Sequence, residues 1–147
     1  EARSQIESLL EQQGDLRIGQ LRQAYQDAMT EHCGVFRTED RMRAGIQQIK
    51  ALQQKYAQIR LDDQGKYWNT ELIEALELRN LMIVGEVILD AALNRRESRG
   101  AHAREDYPDR DDANFLKHTL AYYSPAGVEI QYKPVSITLF QPQERKY

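Results

Sequence analysis

Apolar positions in the first hundred residues recur every three or four residues, the period of amphipathic helices with one buried face. A short helix is predicted around Leu9, and a second one between a cap at Asp15 and an end at Gly34. A third helix is predicted to begin after an N-cap at Thr38, with an apolar stripe that reaches Ile59. The remaining apolar positions of these helices are Ile6, Leu10, Ile18, Leu21, Tyr25, Met29, Met42, Ile46, Ile49, Leu52 and Tyr56.

A fourth helix is predicted from a cap at Asn69 or Thr70 to about Arg96. Its segment Leu81–Leu93 is apolar around nearly its whole circumference, so we expect this helix to be the central one. Acidic residues interrupt the segment, which is too short to span a membrane. Most of its apolar side chains are expected to be buried, namely Leu81, Ile83, Val84, Val87 and Ile88.

The pattern changes to period two after Pro108, which indicates a β-hairpin with its turn at residues 125–127. One side of the hairpin is expected to carry His118, Leu120, Tyr122, Val128, Ile130 and Tyr132. The predicted fold is mainly α: an antiparallel three-helix bundle with a short extra N-terminal helix, a C-terminal β-hairpin and an irregular tail. We expect one domain over residues 1–147, divided into the bundle (1–97), an Arg/Asp-rich loop (98–115), the hairpin (116–135) and the tail (136–147).

Composition and motifs exclude several classes of function. Lysine and arginine number 20 against 23 acidic residues, and 41% of residues are hydrophobic, so neither disorder nor a nucleic-acid surface is indicated. Cys33 is the only cysteine, which excludes an internal disulfide and a cysteine-held metal cluster. The glycines form no phosphate-binding motif, and the three histidines lack metal-site spacing. We therefore expect this chain alone to bind no cofactor and no metal.

One stretch, NRRESRGAHAREDYPDRDD at residues 94–112, contains arginine but no lysine. Arginine forms planar two-pronged pairs with carboxylates and tolerates partial burial, so we expect a fixed polar network around Gly100 in this charged segment. For Arg95 and Arg96 the preferred interpretation is contact with the negative end of the preceding helix. The spacing leaves open whether the network faces solvent, another domain or a ligand.

The same residues carry a resemblance to a known family. NRRESRGAHAREDYPDRDDANFLKHTL followed by IQYKPV resembles the C-terminal helical domain of succinate dehydrogenase and fumarate reductase flavoprotein subunits. HCGVFRTED and NTELIEALELRNLMIVGEVIL resemble the same domain, so the resemblance spans almost the whole chain. Two features depart from the family: Phe115 stands where many succinate dehydrogenases carry tryptophan, and the tail after Val135 does not follow the usual continuation.

The resemblance implies a noncatalytic part of a larger FAD-dependent subunit that interconverts succinate and fumarate. Its FAD-binding and substrate-binding residues would lie upstream, so no catalytic, cofactor-binding or metal residue is expected here. The family signature includes Arg99, Gly100, His102, Arg104, Asp106 and Arg110. We interpret these six residues as a network facing another domain or subunit, with its arginines partly exposed when the chain is alone.

The resemblance also implies the partners. These are the FAD-binding and capping domains of the parent subunit and an iron–sulfur subunit, with no nucleic acid and no direct insertion into a membrane. A cytoplasmic location follows, peripheral at a membrane only through partner subunits. Two alternatives are the C-terminal domain of L-aspartate oxidase, which shares SRG followed by a histidine, and a free-standing helical interaction module.

Overall fold

A computed structural model of the chain describes residues 2–143. The helices are α1 (Ala2–Glu11), α2 (Ile18–Cys33), α3 (Glu39–Lys55), α4 (Thr70–Asn94) and α5 (Asp112–Phe115), with a 3-10 turn at Tyr56–Gln58. The strands are β1 (Leu16–Arg17), β2 (Phe36–Arg37), β3 (Ile59–Arg60), β4 (Ala103–Arg104), β5 (Lys117–Ser124) and β6 (Gly127–Pro134). The long helices α2, α3 and α4 pack against one another, and the β5–β6 hairpin lies on α4. This confirms the predicted mainly α bundle with a hairpin. The end of the predicted tail, residues 144–147, lies outside the described residues.

Two of the three predicted N-terminal helix caps are confirmed, as is the predicted end of α2 at Gly34. The Thr38 hydroxyl accepts a hydrogen bond from the Arg41 amide, and the Asn69 side chain accepts one from the Leu72 amide. The cap predicted at Asp15 is wrong, because α2 begins only at Ile18. The intervening residues Leu16–Arg17 instead form β1, which pairs in parallel with β3.

The interior of α4 differs from the prediction. The helix contacts α2 and α3 through Leu72, Ala75, Leu78, Met82, Gly85, Glu86, Leu89 and Ala92, all of them buried. The predicted core residues Leu81, Ile83, Val84, Val87 and Ile88 are not buried. A three-helix bundle covers only one side of each member, so a helix that is apolar all round leaves an apolar stripe uncovered.

The uncovered side of α4 carries four large apolar residues at helical spacing. We call Ile73, Leu81, Val84 and Ile88 the α4 stripe; their exposed fractions lie between 40% and 55%. Single exposed apolar residues are common, but Leu81, Val84 and Ile88 follow one another at steps of three and four residues, and such a patch is typical of an interaction surface.

The register of the hairpin also differs from the prediction. Its turn contains two residues, Pro125 and Ala126, so that Thr119 pairs with Tyr132 and Leu120 with Gln131. Directly paired residues of an antiparallel ladder share one face. The predicted common side is therefore wrong: His118, Leu120 and Tyr122 lie on one face, and Val128, Ile130 and Tyr132 lie on the other. The latter face is the one turned to α4, where the Tyr132 hydroxyl donates to the Asn94 carbonyl at 3.4 Å.

No helix within residues 2–143 combines the length and the apolar character needed to cross a bilayer.

Candidate functional site

The charged segment is attached to the start of α3 by a short parallel ladder. Strand β4 pairs with β2, placing Arg104 opposite Arg37, and the Glu105 amide donates to the Arg37 carbonyl at 2.9 Å. The chain reverses before this ladder at Gly100, whose φ of +59° lies in the left-handed region, and Arg99 and His102 exchange backbone hydrogen bonds across the reversal. Gly100 thus adopts a backbone conformation that residues with a Cβ atom rarely adopt. These bonds bring the charged segment onto the ends of two helices.

Arg104 occupies the centre of the segment and is only 1% exposed. Its Nε and Nη2 atoms donate to the two carboxylate oxygens of Asp106, each at 2.7 Å. Its Nη1 atom donates to the carbonyls of Ala92 and Leu93 in the last turn of α4, at 3.2 and 3.1 Å. The expectation of partly exposed arginines is therefore wrong for Arg104, because the C-terminal carbonyls of α4 and the Asp106 carboxylate enclose its guanidinium.

Asp106 extends this contact to α3. Its Oδ2 atom accepts a hydrogen bond at 2.8 Å from the amide of Glu39, the first residue of that helix. The hydrogen bonds from Arg104, and to a smaller extent the Glu39 amide, lower the pKa of Asp106 to about 2. The ion pair thus places a cation at the negative end of α4 and an anion at the positive end of α3, the arrangement that both helix dipoles favour.

His102 is held between two polar groups and is neutral in this geometry. Its Nδ1 atom lies 3.0 Å from Nη1 of Arg37, and its Nε2 atom lies 3.0 Å from the Arg95 carbonyl. Because a guanidinium can only donate, Nδ1 accepts and the ring proton resides on Nε2. Burial, together with the charges of Arg37, Arg104 and Arg95, lowers the pKa of His102, although the bond to the Arg95 carbonyl opposes this.

A second centre of the segment is Glu97, whose exposed fraction is 0%. Its Oε1 atom accepts from Arg95 at 2.6 Å and from Arg99 at 2.8 Å, and its Oε2 atom accepts from Arg99 and from the Asp111 amide, both at 2.9 Å. Burial favours the neutral acid, but these hydrogen bonds outweigh it and lower the pKa of Glu97. The carboxylate is therefore ionised and fixes two arginines.

Arg95 links this second centre to the hairpin. Its guanidinium donates to the carbonyls of Phe115 and Lys117, at 2.9 and 2.6 Å, and to the Thr119 hydroxyl at 2.9 Å. The interpretation that its side chain serves the α4 dipole is wrong, since the side chain is directed to Glu97 and to β5. The hairpin is thereby held by the same network that joins the two helices.

Arg99 and Arg110 form the outer part of the network and are partly exposed. Arg99 donates to Asp112 at 2.6 Å, Arg110 pairs with the same carboxylate, and Arg110 also donates to the Gln143 carbonyl at 2.7 Å. The two guanidinium hydrogen bonds lower the pKa of Asp112, with Arg110 the larger contributor. The accessible edges of these two arginines, beside the exposed Gly100, form the outward side of the segment.

The six signature residues meet in one region. Arg99, His102, Arg104, Asp106 and Arg110 all bond to other groups of this chain. Arg104 is fully buried, whereas the side chains of Arg99, Asp106 and Arg110 are 27%, 29% and 21% exposed. Sequence reasoning missed Glu97, Arg95 and Arg37 as members of the network. Glu97 lies between arginines, which is a usable signal, but Arg37 lies 65 residues before His102 and no local pattern connects the two.

This arrangement holds charges in place by pairing Arg104 with Asp106, and Arg95 and Arg99 with Glu97. Asp106 and Glu97 are ionised, and their oxygens are occupied by arginine and amide donors. No cluster of three or more His, Cys, Asp or Glu side chains within residues 2–143 could hold a metal ion. The geometry is that of a brace across the ends of α3, α4 and the hairpin.

Comparison with known proteins gives a consistent result. The family model for the C-terminal part of the fumarate reductase flavoprotein matches residues 22–147. The chain is 39% identical to the fumarate reductase flavoprotein subunit of Haemophilus influenzae, an alignment that covers 98% of this chain and 24% of that subunit. It is 44% identical to the succinate dehydrogenase flavoprotein subunit of Rickettsia felis, over 85% of this chain and 21% of that subunit.

A solved structure of quinol fumarate reductase from E. coli has the same fold, with a TM-score of 0.90 at 35% identity over 97% of this chain and 25% of that one. The chain thus spans about a quarter of the length of the relatives it matches. These relatives support neither an L-aspartate oxidase domain nor a free-standing module. The chain belongs to the succinate dehydrogenase and fumarate reductase flavoprotein family, in which it corresponds to the C-terminal domain.

Proposed function

We propose that this domain is a noncatalytic, structural part of an FAD-dependent subunit that interconverts succinate and fumarate. The names of its relatives support the activity of the parent. The observation that carries the structural role is the brace itself: the carboxylates of Asp106 and Glu97 and the ring of His102 bind groups of this same chain. A network of this kind positions helices, and it leaves these three residues committed to that task.

The first turns of α3 and α4 offer no site for FAD. A dinucleotide pyrophosphate needs free amides at a glycine-rich turn before a helix. The first turns of α3 and α4 are already capped, by Thr38 with Asp106 and by Asn69. The two glycines with positive φ, Gly100 and Gly127, lie in the charged segment and at the hairpin turn. In this proposal FAD is held by parts of the subunit outside this chain.

The surfaces for packing in the parent are the α4 stripe and the outer part of the charged segment. The stripe supplies apolar area, and Arg99 and Arg110 supply charge at the edge of the network. We assign these surfaces to the FAD-binding and capping domains and to an iron–sulfur subunit. A cytoplasmic location, peripheral at a membrane through partner subunits, completes the proposal. Relatives that are named flavoprotein subunits support the presence of a partner subunit.

The test uses the full-length subunit with Val84→Glu in the middle of the α4 stripe. A carboxylate in an apolar contact must lose its hydration or open the contact, so the variant should lose bound flavin, fumarate reduction and binding of its partner subunit. Gln47→Glu, at an exposed polar position of α3, adds the same charge as a control. The proposal is wrong if Val84→Glu matches Gln47→Glu in flavin content, turnover and assembly.

A further inference from the structure

The turn before α4 displays two aromatic residues to solvent. Trp68 is the only tryptophan of the chain, is 99% exposed and has a φ of +55°, and its neighbour Tyr67 is 89% exposed. A side chain with a Cβ atom rarely adopts the left-handed region, and a large aromatic residue loses most by remaining in water. Both the positive φ and the exposure of the aromatic rings are unfavourable for the chain alone. Folding of this domain therefore does not explain why the turn carries these two residues.

The loop that carries these residues is fixed by its own hydrogen bonds. The Asn69 amide donates to the carbonyls of Asp63 and Gly65 at 2.7 and 2.9 Å. The Glu71 carboxylate accepts from the amides of Asp62 and Asp63 at 2.8 and 2.9 Å. Five residues thus close the loop on itself, and the two aromatic side chains are presented on a preorganised turn, which lowers the entropy cost of binding.

We propose that Tyr67 and Trp68 form an anchor that inserts into a pocket on the remainder of the same subunit. This rests on the proposed function, because it requires a longer parent protein. The relatives are about four times as long as this chain. Tryptophan and tyrosine are enriched among the residues that dominate interface energies, because they combine a large rigid area with a polar atom. Ile73, in the first turns of α4, begins the α4 stripe on the same end of the helix.

The small area of the anchor indicates that the pocket lies on a covalently linked part of the same subunit and not on a separate protein. Two aromatic side chains bury about 150–250 Å² each, whereas a stable complex of separate proteins needs about 800 Å² on each side. A domain that is linked by the chain itself has an effective concentration on the order of millimolar, so a small contact suffices to hold it. A partner subunit or a second copy of the chain would need a larger surface around the turn.

Hydroxyl-radical labelling of the full-length subunit, purified without its partner subunits, tests the anchor directly. Trp68 should be oxidised about tenfold more slowly in the native subunit than in the urea-unfolded subunit, since an inserted anchor is closed to water. Equal rates in the two states would overturn the proposal. Protection that appears only after the partner subunit is added would also overturn it, because the pocket would then lie on that subunit.

Substitution of Trp68 in the full-length subunit gives a second test. The thermal midpoint should change in opposite directions for an inserted and for a solvent-exposed side chain. Glycine removes the strain of the left-handed backbone, so Trp68→Gly should raise the thermal midpoint if the tryptophan side chain enters no pocket. The anchor requires that Trp68→Gly lower the midpoint, that Trp68→Phe lower it less, and that Lys66→Ala in the same loop leave it unchanged. If Val84→Glu impairs the subunit but Trp68 is reactive and replaceable, only the anchor fails. If Val84→Glu is harmless as well, the proposed function itself fails.

Discussion

Arg104 and Asp106 form a two-pronged ion pair that joins the last turn of α4 to the first residue of α3. The guanidinium also binds carbonyls at the end of α4, and the carboxylate also binds the Glu39 amide. Both helix ends therefore satisfy otherwise unpaired backbone groups through one pair of side chains. Removal of Asp106 would leave the buried guanidinium of Arg104 without its counter-ion, whereas the side chain of Asp106 itself is 29% exposed.

Arg104→Ala should lower the free energy of unfolding of the 147-residue chain by about 1–3 kcal/mol, the cost of leaving buried acceptors without a donor. The change leaves the Asp106 carboxylate without its cation and the α4 carbonyls without a donor. Urea unfolding followed by circular dichroism measures the loss. The control is Arg41→Ala, at an exposed position of α3, which should change the free energy by no more than about 0.5 kcal/mol. Similar midpoints for both variants would mean that the ion pair contributes nothing to the fold.

Leu89→Ala and Ile88→Ala, at adjacent positions of α4, should have very different effects. Leu89 is fully buried, so truncation leaves a cavity and should cost about 2–5 kcal/mol. Ile88 lies on the α4 stripe and is about half exposed, so its truncation in the 147-residue chain should cost less than about 1 kcal/mol. Denaturant midpoints measured in parallel decide between the two faces. Equal losses of stability would mean that Ile88 belongs to the core and that the α4 stripe is not an exposed surface.

Features fixed by short-range patterns were predictable from the sequence. Thr38 and Asn69 cap helices through bonds to amides three residues away, and such bonds depend only on local spacing. The face of α4 was not predictable, because a helix that is apolar all round gives no period to read. The hairpin register depended on whether Gly127 belongs to the turn or to β6, and shifting that boundary by one residue moves a strand's side chains to the other face.

The candidate site shows the same division. The absence of lysine and the presence of Gly100 predicted a fixed arginine network, since both are visible within a few residues. The burial of Arg104 was not predictable, because it depends on backbone carbonyls at the end of α4, and these are present whatever the sequence. Arg37 joined the network through the pairing of β2 with β4, which are two-residue strands far apart in the chain and without a sequence signal of their own.

Gly85→Ala should destabilise the domain although alanine is the better helix former. A Cβ atom at this position would lie 2.8 Å from the Tyr25 hydroxyl, which is held by a 2.7 Å hydrogen bond to the Leu81 carbonyl. Overpacking of this kind costs about 1–3 kcal/mol and should outweigh the gain of about 1 kcal/mol in helix propensity. Gly19→Ala in α2 meets no atom within 4 Å and should be neutral or stabilising. A higher thermal midpoint for Gly85→Ala would show that α2 can move away from α4.

His102 should make the stability of the domain fall as the pH decreases from about 7 towards 5. Its pKa is lowered in the folded chain by burial and by the charges of Arg37, Arg104 and Arg95, whereas in the unfolded chain it should be near 6.5. As the pH drops through 6.5 the unfolded state takes up a proton that the folded state refuses, so the free energy of unfolding decreases until the folded pKa is reached. Asp106 and Glu97 have lowered pKa values and stay ionised in this range.

The measurement is the thermal midpoint at pH 7.5 and pH 5.5 for wild type and for His102→Gln, whose amide can still donate to the Arg95 carbonyl. The difference between the two pH values should shrink in this variant, since glutamine does not titrate. His118→Gln, at an exposed position on the outer face of the hairpin, should retain the wild-type difference. An unchanged pH response in His102→Gln would mean that the ring accepts a proton without leaving its place between Arg37 and Arg95, and that the segment does not depend on its neutral form.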